Sequence, residues 1–228
     1  MNTFAEKFVQ NFVEESRYMY LLKGLGNTFI ITIFAVLIGV FLGFLVAIIR
    51  STADKTGKLK ILDAICRVYL TIIRGTPAMI QLLIMFYVVF ANSNNKIFTA
   101  IMTFGINSGA YVAEIVRGGI MSIDNGQFEA GRSIGFNYPQ TMYYIIMPQV
   151  FKNVLPALVN EFIVLLKETS ICGYIGLMDL TRGGDIIRSR TYEAFLPLIA
   201  VAIIYLVIVV ILTSFVTKLE RRLRASER

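Results

Sequence analysis

Several uninterrupted apolar runs of about 20 residues constrain this chain more than anything else in it. A helix of that length crosses the roughly 30 Å hydrocarbon core of a bilayer, because each residue rises about 1.5 Å. With 56% hydrophobic and only 16% charged residues, the 228-residue sequence reads as an all-α polytopic membrane protein. About five transmembrane helices are expected: Leu25 to Ile49, Ile61 to Phe90, Ile97 to Val116, Val154 to Met178 and Ala194 to Val216. Gly39 and Gly43 in the first form a small-xxx-small pair that lets another helix approach closely. The second is too long for one straight crossing and is interrupted at Arg74-Gly75-Thr76-Pro77, where proline removes a backbone donor and predicts a kink or break. Irregular backbone at that depth lines a wet cavity or is buried in protein, although an arginine there can also snorkel to the interface.

Net charge of +7 comes from Lys and Arg gathered in a few places. The densest cluster, Lys218 to Arg228, assigns the C-terminus to the cytoplasm. The Arg50–Lys60 loop then also lies inside, whereas the N-terminus and the Asn92–Lys96 turn lie outside. The loop Asp179 to Glu193, with Arg182, Arg188 and Arg190, lies outside and strains the rule. Phe4, Phe8 and Phe12 recur every four residues among charges and predict an amphipathic interfacial helix within 1–24. Residues 25–217 form the transmembrane domain, and 218–228 a basic cytoplasmic tail.

The chain has no histidine, which removes histidine-based nucleophile pairs, metal sites and proton relays together. Cys66 and Cys172 fall in or beside apolar spans and read as small buried residues. No metal cluster, cofactor fingerprint or catalytic residue is identified. Gly57-Lys58 lacks the leading glycine and following hydroxyl of a phosphate loop, so any ATP must be bound by another chain.

Two segments break the apolar pattern. The loop 122–149 predicts two short helices joined by an elbow. Asp124 or Asn125 caps the first, Gly135 ends it in left-handed geometry, and Asn137 with Pro139 opens the second, which Pro148 closes. A capped polar double helix outside the bilayer implies a partner. The fourth span carries Asn160, Glu161, Lys167, Glu168, Thr169 and Ser170 where hydrocarbon should be. Each charge near the bilayer centre costs at least about 2.5–3.5 kcal/mol, so these residues face a partner or a watery path. Glu161 and Glu168 share one helical face, with Asn160 and Lys167 about 100° round. Glu161 lies roughly 13 Å in from Lys152. Two readings stand: a ligand site, or a structural pair such as Glu161 with Arg74 or Lys167.

The run Tyr111-Val112-Ala113-Glu114-Ile115-Val116-Arg117-Gly118-Gly119-Ile120, with Gly126-Gln127, Glu129-Ala130-Gly131, Gly135 and Met147-Pro148-Gln149, resembles the cytoplasmic signature of ABC importer permeases. Arg74-Gly75-Thr76-Pro77 and the segments Asn160 to Ile163 and Lys167 to Ser170 resemble the polar amino-acid (histidine/glutamine/arginine/opine) branch. The resemblance covers nearly all of the chain after its first helix. It implies a type I ABC importer permease (MetI-like) in a bacterial-type plasma (inner) membrane, with no cofactor in this chain. The implied partners are an ATP-binding subunit dimer that holds ATP and Mg, a second permease that is another copy or a different chain, an extracytoplasmic solute-binding protein and a polar amino-acid substrate. No nucleic-acid partner is implied. The elbow becomes a coupling helix, with Gln127, Glu129, Ala130, Gly131, Gly135 and Pro148 as ATPase-coupling residues. The family's usual Glu-Ala-Ala ends here in Gly131, which adds backbone freedom worth about 1 kcal/mol. Glu161, Ser170, Thr169, Asn160, Lys167, Arg74 and Thr76 become the substrate-binding set. An acid at 161 points to a cationic group of the substrate, and so to a basic amino acid. The competing class, a gradient-driven secondary transporter, would show paired broken helices in two repeats, and only the break near Pro77 is found.

Overall fold

A computed structural model describes residues 3–225, and among these the chain is helical almost throughout. Helices α1 (Phe4–Phe8), α2 (Tyr18–Thr56), α3 (Lys60–Gly75), α4 (Ala78–Ile84) and α5 (Lys96–Met121) form the first half. Helices α6 (Asn125–Ser133), α7 (Tyr138–Thr141), α8 (Met147–Glu168), α9 (Leu180–Thr191) and α10 (Phe195–Ala225) complete it.

Helix α5 is the hub. It buries Ala100, Phe104, Ala110, Val112, Val116 and Ile120 together with Thr103, Asn107 and Ser108. Its neighbours are protein on several sides, which explains why it is less apolar than the helices that face lipid. By length and composition, Tyr18–Thr56, Tyr138–Ile175 and Phe195–Arg221 can each cross a membrane. The pair Lys60–Gly75 and Ala78–Val89, bent by 107°, adds one more candidate crossing.

Small residues set the spacing of α2 against α5, as the Gly39/Gly43 pair predicts. A Cβ on Gly39 would sit 2.8 Å from Ser108 Oγ, and one on Gly43 would collide with Val112. Helix α2 runs seven residues past the expected end at Ile49, because the charges of its last turns have partners on α3 and α5.

The expected break falls where proline dictates. Thr76 is extended, and the Gln81 amide bridges the gap by donating to the carbonyls of Ile73 (2.8 Å) and Thr76 (3.1 Å). Asn107 of α5 donates in turn to Gln81 Oε1 at 2.9 Å. Freed backbone groups at this depth are thus met from inside the protein.

Three expectations need correction. The N-terminal helix does not run to residue 24: a capping box between Thr3 and Glu6 starts α1, and a π-helical turn, Val9–Val13, extends it. A corner at Glu15 and Ser16, both left-handed, then turns the chain into α2 at Tyr18. Of the three phenylalanines, Phe12 packs in a core with Leu21, Leu180, Ile187 and Leu196, while Phe4 and Phe8 are exposed. Second, Pro148 does not close a helix. It lies in the first turn of α8, directly after a π-helical turn, Met142–Ile146, that keeps the chain helical from Tyr138 onward. The wider turn absorbs a proline that lacks a donor and would otherwise crowd the preceding carbonyls. Third, α10 continues through most of the expected tail; residues 226–228 lie outside the described residues.

The arginines of the strained loop have partners. Arg182 and Arg188 both bind Asp185, and the Arg188 hydrogen bond holds that carboxyl below its ordinary range. Arg190 lies 3.6 Å from Glu15 and 5.1 Å from the Tyr20 ring centre. Arg190–Glu15 and Lys7–Glu193, the latter at 3.1 Å, hold the N-terminal segment against α9 and the residues just after it.

Candidate functional site

The elbow is built from its caps outward. Asp124, not Asn125, is the N-cap of α6, its side chain accepting from the Gly126 amide. Asn125 instead accepts from Lys55 Nζ at 2.8 Å, tying α6 to the end of α2. Gly135 adopts φ +84, with amides at 135 and 136 returning to the Arg132 and Gly131 carbonyls at 3.0 Å. Asn137 and Gln140 then form a reciprocal capping box at 3.0 Å each, with Pro139 in the first turn. Each of these follows from the sequence pattern.

Phe128 anchors this elbow to the core that holds Val116, Ile120, Met142, Ile146 and Val150. Gly131 is buried, and a Cβ there would lie 2.6 Å from Thr141 Cγ2 and 2.7 Å from its Oγ1. Glycine at this position therefore brings α6 against α7, a packing requirement that replaces the expected gain in flexibility. Gln127, Glu129, Ala130 and Pro148 are exposed, as are Ile134, Tyr143 and Tyr144. Gln149 Nε2 spans to Gln127 Oε1 at 3.4 Å. The result is a capped, anchored knob with one polar face and one apolar, aromatic one.

The residues expected to bind substrate do not converge within this chain. Glu161 points to α5 and accepts from Ser108 Oγ at 3.0 Å. Neither Arg74 nor Lys167 pairs with it, and among the described residues no cation lies within ion-pair distance of Glu161 or Glu168. Asn160 lies in a groove between α8 and α10. Lys167 is exposed, and Thr169 is fully buried, donating to the Leu166 carbonyl at 2.7 Å. Ser170 lines a separate pocket beside Tyr174, Thr181 and Asp185. Thr76 lies in the bend of α3 and α4, where it donates to the Ile72 carbonyl at 2.8 Å.

Arg74 belongs to an ion cluster that sequence reasoning missed. Glu114 of α5 receives Arg50 of α2 at 2.9 Å, Arg117 at 3.1 Å and Arg74 at 3.9 Å. Asp63 of α3 takes Arg67 at 2.8 Å and Arg50 at 3.4 Å. Helical spacing announces two of these pairs, Asp63/Arg67 and Glu114/Arg117. The cross-links through Arg50 depend on tertiary placement. Three helices are thereby tied together at the end of the bundle that carries α6. Among the described residues, no group of three or more His, Cys, Asp or Glu is placed to hold a metal.

Residues 35–225 match the family model described as binding-protein-dependent transport system inner membrane component. A putative glutamine transport system permease protein, GlnP, of Rickettsia prowazekii (strain Madrid E) is 36% identical over 206 residues, covering 89% of this chain and 92% of the relative. The arginine transport system permease protein ArtQ of Bacillus subtilis (strain 168) is 35% identical over 211 residues, covering 91% and 94%. Among solved structures, one titled as an amino acid ABC transporter with histidines is 40% identical, with a TM-score of 0.81, over 92% of this chain and 98% of that one.

Proposed function

The chain belongs to the family of inner membrane components of binding-protein-dependent transport systems, and from that premise we propose how it carries and couples its substrate. It is a membrane permease subunit of an ATP-driven importer, and the ATPase activity belongs to a separate subunit. The relatives' names direct the substrate reading to a polar amino acid such as glutamine or arginine.

One observation carries the reading. Glu161 stands in a membrane-spanning helix, held by Ser108 and with no cation paired to it among the described residues. A carboxylate in a span calls for a compensating charge, and the ammonium or basic side chain of a passing amino acid supplies one. Charge-assisted hydrogen bonds contribute about 1.5–3 kcal/mol, or roughly 10- to 100-fold in affinity. Asn160, Ser170 and Thr76 lie in three separate grooves, Thr169 is buried, Lys167 is exposed and Arg74 sits in the Glu114 cluster, so any part they play in substrate contact depends on surfaces this chain does not itself close.

Energy enters at the elbow. Gln127, Glu129 and Ala130 present the polar face of α6, beside exposed Ile134, Tyr143 and Tyr144, to a cleft in the ATP-binding subunit. Gly131 and Gly135 shape that knob. The assembly comprises two permeases, an ATP-binding dimer and an extracytoplasmic solute-binding protein, with the N-terminus outside and the C-terminus in the cytoplasm of the inner membrane. ATP-driven closure of the ATPases pushes the elbows, and the permeases rock between outward and inward access.

The test reconstitutes this permease with its ATP-binding subunit and binding protein, then measures which amino acids stimulate ATP hydrolysis and uptake. Glu161→Gln is expected to lower uptake at least tenfold while basal hydrolysis persists. Unchanged arginine and glutamine uptake in that variant would end the Glu161 reading.

A further inference from the structure

A groove of about 650 Å³ separates α8 from α10, near the ends of those helices that adjoin the elbow. Its walls carry Asn153 and Asn160 from α8 and Thr213 and Thr217 from α10, all exposed. Asn160 and Thr213 stand within the spans and Asn153 and Thr217 just beyond them, and the Thr217 hydroxyl donates to the Thr213 carbonyl at 3.1 Å, so the wall is polar from the membrane edge inward. Lys152 and Glu220 line the same groove, yet neither is within ion-pair distance of the other or of any other charged group among the described residues. Opposite charges, amides and hydroxyls thus face one space whose size suits a small ligand.

We propose that this groove is an exit-side subsite for a free zwitterionic amino acid. Lys152 takes the α-carboxylate, and Glu220 takes the α-ammonium. Asn153 and Asn160 hydrogen-bond the ligand on its way from the midplane. The inference rests on the amino-acid importer reading and adds a second stop, distinct from the Glu161–Ser108 contact.

The assembled permease–ATPase complex, with buried Cys66 and Cys172 replaced by alanine, supplies the test. Asn153→Cys on one wall and Thr217→Cys on the other report separately, so one misfolded variant does not decide the outcome. Each is reacted with a charged thiol reagent, with and without millimolar L-arginine or L-glutamine. At least a threefold slowing of labelling is expected, lost on Lys152→Gln or Glu220→Gln, while Ser189→Cys on α9 is indifferent to either amino acid. Failure of both reporters to label, or labelling that neither amino acid slows, overturns the subsite. ATP hydrolysis in the same preparation, with loaded binding protein, separates the levels. Intact stimulation with unprotected labelling refutes the subsite alone, whereas no stimulation by either amino acid strikes the importer reading and the subsite with it.

Discussion

Replacing Gly131 with alanine would place a methyl carbon 2.6 Å from Thr141 Cγ2, 2.7 Å from Thr141 Oγ1 and 3.2 Å from Ile145 Cδ1. Ordinary carbon contacts begin about 1 Å farther out. Thr141 cannot easily yield, because it is β-branched, buried and hydrogen-bonded through Oγ1 to the Asn137 carbonyl at 3.1 Å. Overpacking of this kind costs about 1–3 kcal/mol. Alanine recovers about 1 kcal/mol as the better helix former. The net expectation is destabilisation of up to about 2 kcal/mol, localised where α6 meets α7. Thr141→Ala removes both colliding atoms, so Gly131→Ala/Thr141→Ala should be more stable than the sum of its single variants by about 1 kcal/mol or more. Thermal unfolding of the purified permease, with hydrogen exchange across residues 125–149, reads the coupling. A double variant that is strictly additive refutes the packing account of this glycine.

Other predictions follow from the same geometry. Gly39→Ala pushes on Ser108 Oγ, and so should lower transport by disturbing the Ser108–Glu161 contact; an unchanged uptake rate would count against that link. Glu114→Ala leaves Arg50 and Arg117 short of a partner, and for part-buried pairs the loss lies below the roughly 3–5 kcal/mol of a fully buried one. It should still exceed that of Arg74→Ala, whose side chain is half exposed and 3.9 Å from the acid; melting curves of the two variants check the order. Asp185 has a depressed pKa in the folded chain, so its contribution is present above the unfolded value of about 3.9 and fades as pH falls through the lower folded one. Asp185→Asn should therefore flatten the acid limb of stability against pH below about 4, and an unaltered limb would contradict the assignment.

Much of the architecture is written in local chemistry. The break at Pro77, the cap at Asn137 and the left-handed Gly135 each depend on a few neighbouring residues, and each is found where those residues predict it. The extension of α2 to Thr56 was hidden because Arg50 and Asp54 look like loop charges until α3 and α5 supply Asp63, Glu114 and Arg67. Pro148 misled for a related reason: proline ends a regular α-helix, and nothing local announces the π-helical turn that accommodates it. Gly131 looked like a loss of stiffness because its neighbour Thr141 is ten residues away around a corner. The residues expected at the substrate share one short segment of sequence or one motif, whereas grooves are set by which helix each of them faces. That is why Asn160, Ser170 and Thr76 are found in three different ones.

The π-helical turn at Met142–Ile146 sets the angular phase of everything beyond it. Such a turn holds one residue more than the α-helical turn it replaces, and each residue rotates a helix by about 100°. Upstream, Phe128 and Gly131 fix the elbow; downstream, Glu161 meets Ser108. Narrowing that turn to α-helical geometry with no residue removed would leave the elbow seated and push the rest of α8 on by one position. Asn160 would then stand where Glu161 now faces Ser108. The bulge thus works as a frame key, and the identity of the side chain opposite Ser108 is decided at a distance of about 25 Å by how many residues one turn contains.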